Sequence, residues 1–417
     1  MEQLSFMTEE QARAARREFG TPVFVYDRRT LEQCAQEALA FPNASGLTVR
    51  YAMKALPAAT VLRFFSEMGL HIDASSGFEA ERAMLAGIPP EHIQVTAQEL
   101  PENLETLIAK GVRFNACSLH QLEVYGRLFP GTEISVRINP GLGSGHSNRT
   151  NVGGPSASFG IWHEHTDAIL AFASKHALRL SGMHTHIGSG TDPEIWLHCA
   201  QLSLGIAERL PEVRRLSLGG GFKVARMATE HSADLQEIGR RIRPEFEAFA
   251  QKTGRALHLE IEPGTYLTAN AGALVCSVID VVDTGKDGYT FIKVNSGMTE
   301  IARPSMYGAQ HPIIVVPERP EPRGQRHYLV VGHCCESGDI LTPEPGNPEG
   351  LLPRLLMEAR IGDIVVIEGA GAYCASMASK NYNSFPECAE ALLEPDGSFA
   401  LIRKRQSLQQ IIQNEII

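Results

Sequence analysis

Val49-Arg50-Tyr51-Ala52-Met53-Lys54-Ala55-Leu56-Pro57 reads as a short, mostly apolar strand that ends on a lysine and is stopped by a proline. The spacing predicts a strand over 48–54 and an amphipathic helix over 58–68. A buried strand followed at once by a helix is the building unit of a parallel sheet. Further strands are expected at 69–73, 93–97, 113–118, 132–139, 180–187, 215–219 and 256–262. Amphipathic helices lie between most of them; the one over 234–252 is the longest. An open, doubly wound sheet would read similarly, but eight units favour closure into a (β/α)8 barrel of the TIM type.

Beyond Glu262 the pattern changes. Segments 275–282, 290–294, 327–331 and 363–367 are β-rich, with few helices between them. Gly285-Lys286-Asp287-Gly288 has hairpin composition, and the proline- and charge-rich stretch 317–325 reads as a surface loop. The expected organisation is a barrel over 27–268 and a second, mostly antiparallel β domain made from 1–26 and 269–417. The early strand at 21–26 is assigned to that second sheet.

Bulk properties narrow the function classes. A net charge of −10 argues against a general nucleic-acid binder, and Arg403-Lys404-Arg405 is the longest basic run. Met1-Glu2-Gln3-Leu4-Ser5 lacks the basic-then-apolar pattern of an export signal, and no run reaches the roughly 18 apolar residues of a membrane span. The eight cysteines, which include the adjacent Cys334-Cys335, fit neither a disulfide framework nor a zinc spacing, so a reducing cytoplasm is expected.

Reactive residue types collect at the carboxyl ends of the expected barrel strands, where this fold keeps its chemistry. Lys54 ends strand one, Asp73 strand two, Arg137 and Asn139 strand five, and His184 and His186 strand six. Gly219-Gly220-Gly221 follows strand seven and Glu262-Pro263-Gly264 strand eight. Each has a bland reading: a strand-end lysine is often a solvated stop, a glycine triplet a turn, a carboxylate half of a salt bridge. The histidine pair has three readings, a metal site, a ring packed on a flat cofactor, or a structural role. Taken together, an amine nucleophile, a glycine cradle for a phosphate, a flat stacking ring and a carboxylate for a cationic nitrogen describe a site for pyridoxal 5′-phosphate.

With those residues in place the chain resembles the diaminopimelate decarboxylases of the barrel-type (fold type III) pyridoxal-phosphate decarboxylases, a group that also holds ornithine and arginine decarboxylases. The resemblance runs from about Phe19-Gly20-Thr21-Pro22 to the C-terminus. Tyr51-Ala52-Met53-Lys54-Ala55 is similar to the family's cofactor-lysine segment. His184-Thr185-His186-Ile187-Gly188-Ser189-Gly190 is similar to its stacking segment, which implies His186 over the ring and Ser189 near the phosphate. Gly219, Gly220, Gly221, Glu262 and Gly264 match its phosphate and ring-nitrogen segments; Asp73 is placed with the cofactor residues.

The second domain matches too. By the resemblance, Cys335 of Cys335-Glu336-Ser337-Gly338-Asp339 is the proton donor and Glu336 contacts the substrate's distal amino group, both in the partner subunit's site. Arg303 and Tyr307 of Arg303-Pro304-Ser305-Met306-Tyr307-Gly308 bind the distal carboxylate, and Tyr373 of Gly371-Ala372-Tyr373 reaches cofactor and substrate. These roles imply a homodimer with shared sites. Gly141-Leu142-Gly143-Ser144-Gly145-His146 resembles an insertion of one bacterial branch.

The implied reaction is decarboxylation of meso-2,6-diaminopimelate to L-lysine and carbon dioxide, the last step of lysine biosynthesis. The chain departs from the family at Thr265, where an arginine usually follows Glu-Pro-Gly; Asn295-Ser296 and Cys374 are smaller departures. Thr265 motivates an alternative, the same chemistry on D-ornithine, D-lysine or a carboxylated polyamine. A metal-dependent hydrolase on the histidine pair, or a non-catalytic cofactor binder, leaves part of this set unexplained, and nothing marks the tyrosine base of a racemase.

Overall fold

The structure is a computed structural model that describes residues 2–142, 153–186 and 188–416. Gly143, Ser144, Gly145 and His146 of the expected insertion, and Ile187, lie outside the described residues. The chain divides into two compact units, one of residues 34–224 and 231–267, the other of 1–33, 225–230 and 268–417.

The first unit is the barrel. Its strands are Leu47–Ala52, His71–Ala74, Ile93–Val95, Arg113–Ala116, Glu133–Asn139, Arg179–Thr185, Arg215–Ser217 and His258–Ile261. Each pairs in parallel with the next, and the eighth pairs with the first through Leu259↔Leu47, Glu260↔Thr48 and Ile261↔Val49, which closes the ring. Closure leaves no edge strand in the ring. A two-residue strand, Ile161–Trp162, adds beside the fifth.

Some of the barrel helices start on side chains that cap them: the Ser76 and Ser118 hydroxyls accept from the N–H groups of Glu79 and Gln121. The helix Leu235–Thr253 starts at Asp234, which accepts from Gln236 and Glu237, and stops at Gly254 with φ +71°. The barrel interior is not wholly apolar. Arg50, fully buried on the first strand, holds Glu260 of the eighth with two hydrogen bonds of 3.2 and 3.1 Å. Such a pair favours one register at little net gain in stability.

The second unit is a mixed, mostly antiparallel sheet. Its long central strand, Gly272–Asp283, pairs antiparallel with Val23–Asp27, with Thr290–Val294 and with Ile364–Ile367. Val23–Asp27 pairs in parallel with Ala389–Leu393, so the early strand joins this sheet. Val23, Val25, Ala273, Val275, Ile364 and Val366 form the core beneath the helix Glu9–Phe19. The hairpin at Gly285–Gly288 closes with Thr284 and Tyr289 bonded across it. Among the described residues no helix is long and apolar enough to cross a membrane.

Candidate active site

Most of the barrel strands end one or two residues sooner than expected. The first barrel strand ends at Ala52, and Lys54 sits on a single 3-10 turn, Met53–Ala55, with its side chain exposed. Lys54 therefore lies two residues past the strand rather than ending it. Asn139 also differs: its amide group bonds Gly154 and Gly141, so it anchors the loop after the fifth strand.

Glu262 follows the eighth strand and is buried. Its backbone N–H donates to Gly219 at 2.8 Å. Oε2 lies 2.9 Å from His184 Nε2, and Oε1 accepts from Ser217 Oγ at 2.8 Å. Burial alone would raise the Glu262 carboxyl, but His184 and Ser217 outweigh it and hold the group well below the usual range. Asp73, also buried, goes the other way. Burial pushes it up, the Glu262 charge adds to this, and Lys54 only partly opposes. The two carboxyls are thus driven in opposite directions, Glu262 toward its ionised form and Asp73 away from it.

The glycines lie where no side chain fits. A Cβ on Gly221, at φ +96°, would meet the Gly188 carbonyl oxygen at 1.8 Å. One on Gly220 would meet Glu262 O at 2.2 Å, and one on Gly219, at φ +74°, His186 Nδ1 at 2.8 Å. Gly190 N–H donates to Gly221 O at 3.0 Å, so segments 188–190 and 219–221 form one two-stranded glycine wall. Gly264 closes against Ala52 and Ala55, and Ala52 N–H bonds Pro263 O, fixing the two segments side by side.

His184 and His186 have ring centroids 6.4 Å apart, but their environments differ. His184 is committed to Glu262. His186 is held neutral by burial, helped by the Arg137 charge, and its Nδ1 is buried without a partner. No three His, Cys, Asp or Glu groups among the described residues are placed to hold a metal ion. A pyridoxal phosphate fits these residues. An exposed amine, an ionised carboxylate, a neutral imidazole, a glycine wall and orphaned buried atoms at His184, His186, Asp73 and Arg137 match its functional groups. Sequence reasoning missed Ser217; a serine inside the apolar run Leu216-Ser217-Leu218 was the available signal.

In the second unit, Cys335 and Glu336 are exposed on a loop that Asp339 anchors. The buried Asp339 carboxylate accepts from the backbone of Met298 at 2.7 Å and of Cys334 at 2.9 Å. Cys335 N–H donates to Asn383 Oδ1 at 2.8 Å. Burial, with Asp339 beside it, pushes the Cys334 thiol up to about 12, which disfavours the thiolate. Arg303 opens the helix Arg303–Tyr307, and Tyr373 stands at φ 56°, an uncommon conformation for a tyrosine.

The barrel region, residues 28–269, matches the family model described as the pyridoxal-binding domain of pyridoxal-dependent decarboxylases. The chain is 35% identical to the diaminopimelate decarboxylase of Streptomyces coelicolor over 97% of its own length and 91% of that protein's. A crystal structure of a diaminopimelate decarboxylase superposes with a TM-score of 0.91 at 33% identity, covering 98% of this chain and 97% of that one. The Helicobacter pylori diaminopimelate decarboxylase, solved with L-lysine, gives 0.84 at 28% identity over 96% and 98%. By its fold, its cofactor site and these full-length likenesses, the chain belongs to the diaminopimelate decarboxylase family of pyridoxal-phosphate-dependent enzymes.

Proposed function

We propose that this enzyme decarboxylates meso-2,6-diaminopimelate to L-lysine and carbon dioxide. The observation that carries the reading is the pairing of ionised Glu262 with the glycine wall 219–221 and Lys54 in a chain that keeps the Arg303, Tyr307, Cys335-Glu336 and Tyr373 segments. When bound, pyridoxal 5′-phosphate supplies an electron sink for the pair left behind as carbon dioxide departs. Lys54 would hold the cofactor through its amine. Gly219, Gly220, Gly221 and Ser189 would hold its phosphate, and Asp73, Gly264 and Tyr373 would line it. His186 would lie on the ring, and Glu262, kept ionised by His184 and Ser217, would keep the ring nitrogen protonated.

Arg303 and Tyr307 would bind the carboxylate that is retained, and Glu336 the amino group beside it. Cys335 would return a proton to the carbon that has lost its carboxylate. Cys335 and Glu336 would serve the partner subunit's site, which makes the working enzyme a homodimer. A cytoplasmic setting suits eight cysteines of which none is in a disulfide.

Thr265 favours a second reading, the same chemistry on D-ornithine, D-lysine or a carboxylated polyamine, because a hydroxyl replaces a guanidinium that grips anions with two hydrogen bonds. The retained Arg303, Tyr307 and Glu336 support diaminopimelate. The test is chiral chromatography of the product formed by the cofactor-loaded enzyme, with Lys54→Ala as control. L-Lysine from the native enzyme and none from the variant is the expected result; no L-lysine from either overturns the substrate assignment.

A further inference from the structure

We propose that Arg226 and Arg303 together form a two-guanidinium receptor for a single carboxylate, which makes Arg226 a specificity-determining residue for the retained end of the substrate. This deepens the decarboxylase reading and rests on it.

Arg226 belongs to the short stretch 225–230 that is part of the second unit, as is Arg303. Its Nε donates to Gly369 O at 2.8 Å. Its stem fills the space a side chain at 369 would need: a Cβ on Gly369, at φ +64°, would lie 2.9 Å from Arg226 Cγ. The buried His311 takes the preceding carbonyl, with Nδ1 2.9 Å from Glu368 O. Arg226 and His311 thus sit on consecutive carbonyls, just before the turn that carries Tyr373. The loop itself is fixed, because Glu230 Oε2 accepts from the backbone of both Arg226 and Met227, at 2.8 and 3.1 Å.

What remains is a pair of unsatisfied cationic donors. Arg226 Nη2 and Arg303 Nε are buried and have no hydrogen-bond partner, while the neutral His311, donating through Nδ1, keeps only an acceptor at Nε2. Burial and then the Arg303 charge work against the Arg226 charge, and burial and then both arginines hold His311 neutral. Buried donors without acceptors, and two like charges close enough to act on one another, are each unfavourable. A carboxylate relieves both at once, since its two oxygens offer about four acceptor positions and one negative charge. A neutral acceptor could satisfy a donor but leaves the like charges unbalanced, and a cationic group relieves neither. A chain with threonine at 265 therefore still offers two guanidinium groups to the substrate carboxylate that is not lost. Sequence reading passed over Arg226 because it lies in a loop without a periodic pattern.

L-Lysine and 1,5-diaminopentane differ only by that carboxylate, so they are the probes. Their binding to the cofactor-loaded enzyme is measured by calorimetry for the native chain, Arg226→Met and Arg226→Lys, with bound-cofactor absorbance and melting temperature as folding checks. The native enzyme should bind L-lysine more tightly than the diamine. Arg226→Met should weaken L-lysine by about 10- to 100-fold, the loss of one charge-assisted contact. The diamine should stay within about twofold, and Arg226→Lys should fall between, giving the readout if the methionine variant is poorly folded. KM for meso-diaminopimelate should rise by a similar factor, with a smaller change in kcat. Unchanged L-lysine binding in a folded variant overturns the receptor, even if meso-diaminopimelate is still turned over. Arg226-dependent L-lysine binding without any turnover of meso-diaminopimelate keeps the receptor and overturns the substrate assignment.

Discussion

Glu262 is held ionised by two buried contacts, so replacing it separates its charge from its shape. Glu262→Gln keeps a group able to bond His184 or Ser217 but removes the negative charge that would support a protonated ring nitrogen. The expected outcome is retained cofactor absorbance after gel filtration and a kcat lower by about 100- to 1,000-fold, roughly 3–4 kcal/mol of barrier. Undiminished kcat would remove Glu262 from the chemistry. Lys54, the glycines and Glu262 were legible in the sequence because each combines an unusual residue type with a strand end. Ser217, Arg226 and Asp339 owe their roles to partners 45, 143 and 41 residues away, and no local pattern reports such pairings. Lys54 lies past the strand rather than ending it because a one-turn 3-10 helix follows Ala52.

Two elements lend themselves to direct tests. In the glycine wall, Gly221→Ala places a Cβ 1.8 Å from Gly188 O at φ +96°, so the segment must move. Destabilisation of at least about 2 kcal/mol is expected by thermal or denaturant unfolding, with cofactor affinity reduced at least about tenfold. In the sheet unit, Glu300 is buried at the end of the turn after Thr290–Val294. Its Oε2 accepts from Ser296 and Thr299, and its Oε1 has no partner. Burial raises its carboxyl from 4.5 to about 7. The folded state therefore binds more protons than the unfolded state across that window, and the stability this contributes is lost as pH rises through 7. Glu300→Gln should raise the melting temperature at pH 8, by on the order of 2 kcal/mol of stability, and change it little at pH 5. A pH-independent difference would contradict this. The strand order was legible because buried parallel strands read as apolar runs of fixed length; the Arg50–Glu260 pair inside the barrel was not, because alternation alone does not show which two charged residues meet.

For the whole molecule, the proposal that Cys335 and Glu336 serve the partner subunit's site makes a statistical prediction. Lys54→Ala and Cys335→Ala are each expected to be nearly inactive as homodimers. Unfolded and refolded together in equal amounts, half the dimers are mixed, and each mixed dimer holds one intact site. Activity should recover to about one quarter of the native value, on the simple pairing statistics of a C2 dimer. No recovery would mean that each chain completes its own site. The reaction itself is tested by carbon dioxide release from the cofactor-loaded enzyme with meso-diaminopimelate, D-ornithine, D-lysine and L-lysine in parallel. Release from meso-diaminopimelate alone is the predicted result, and release only from a substrate that lacks the second carboxylate would contradict it.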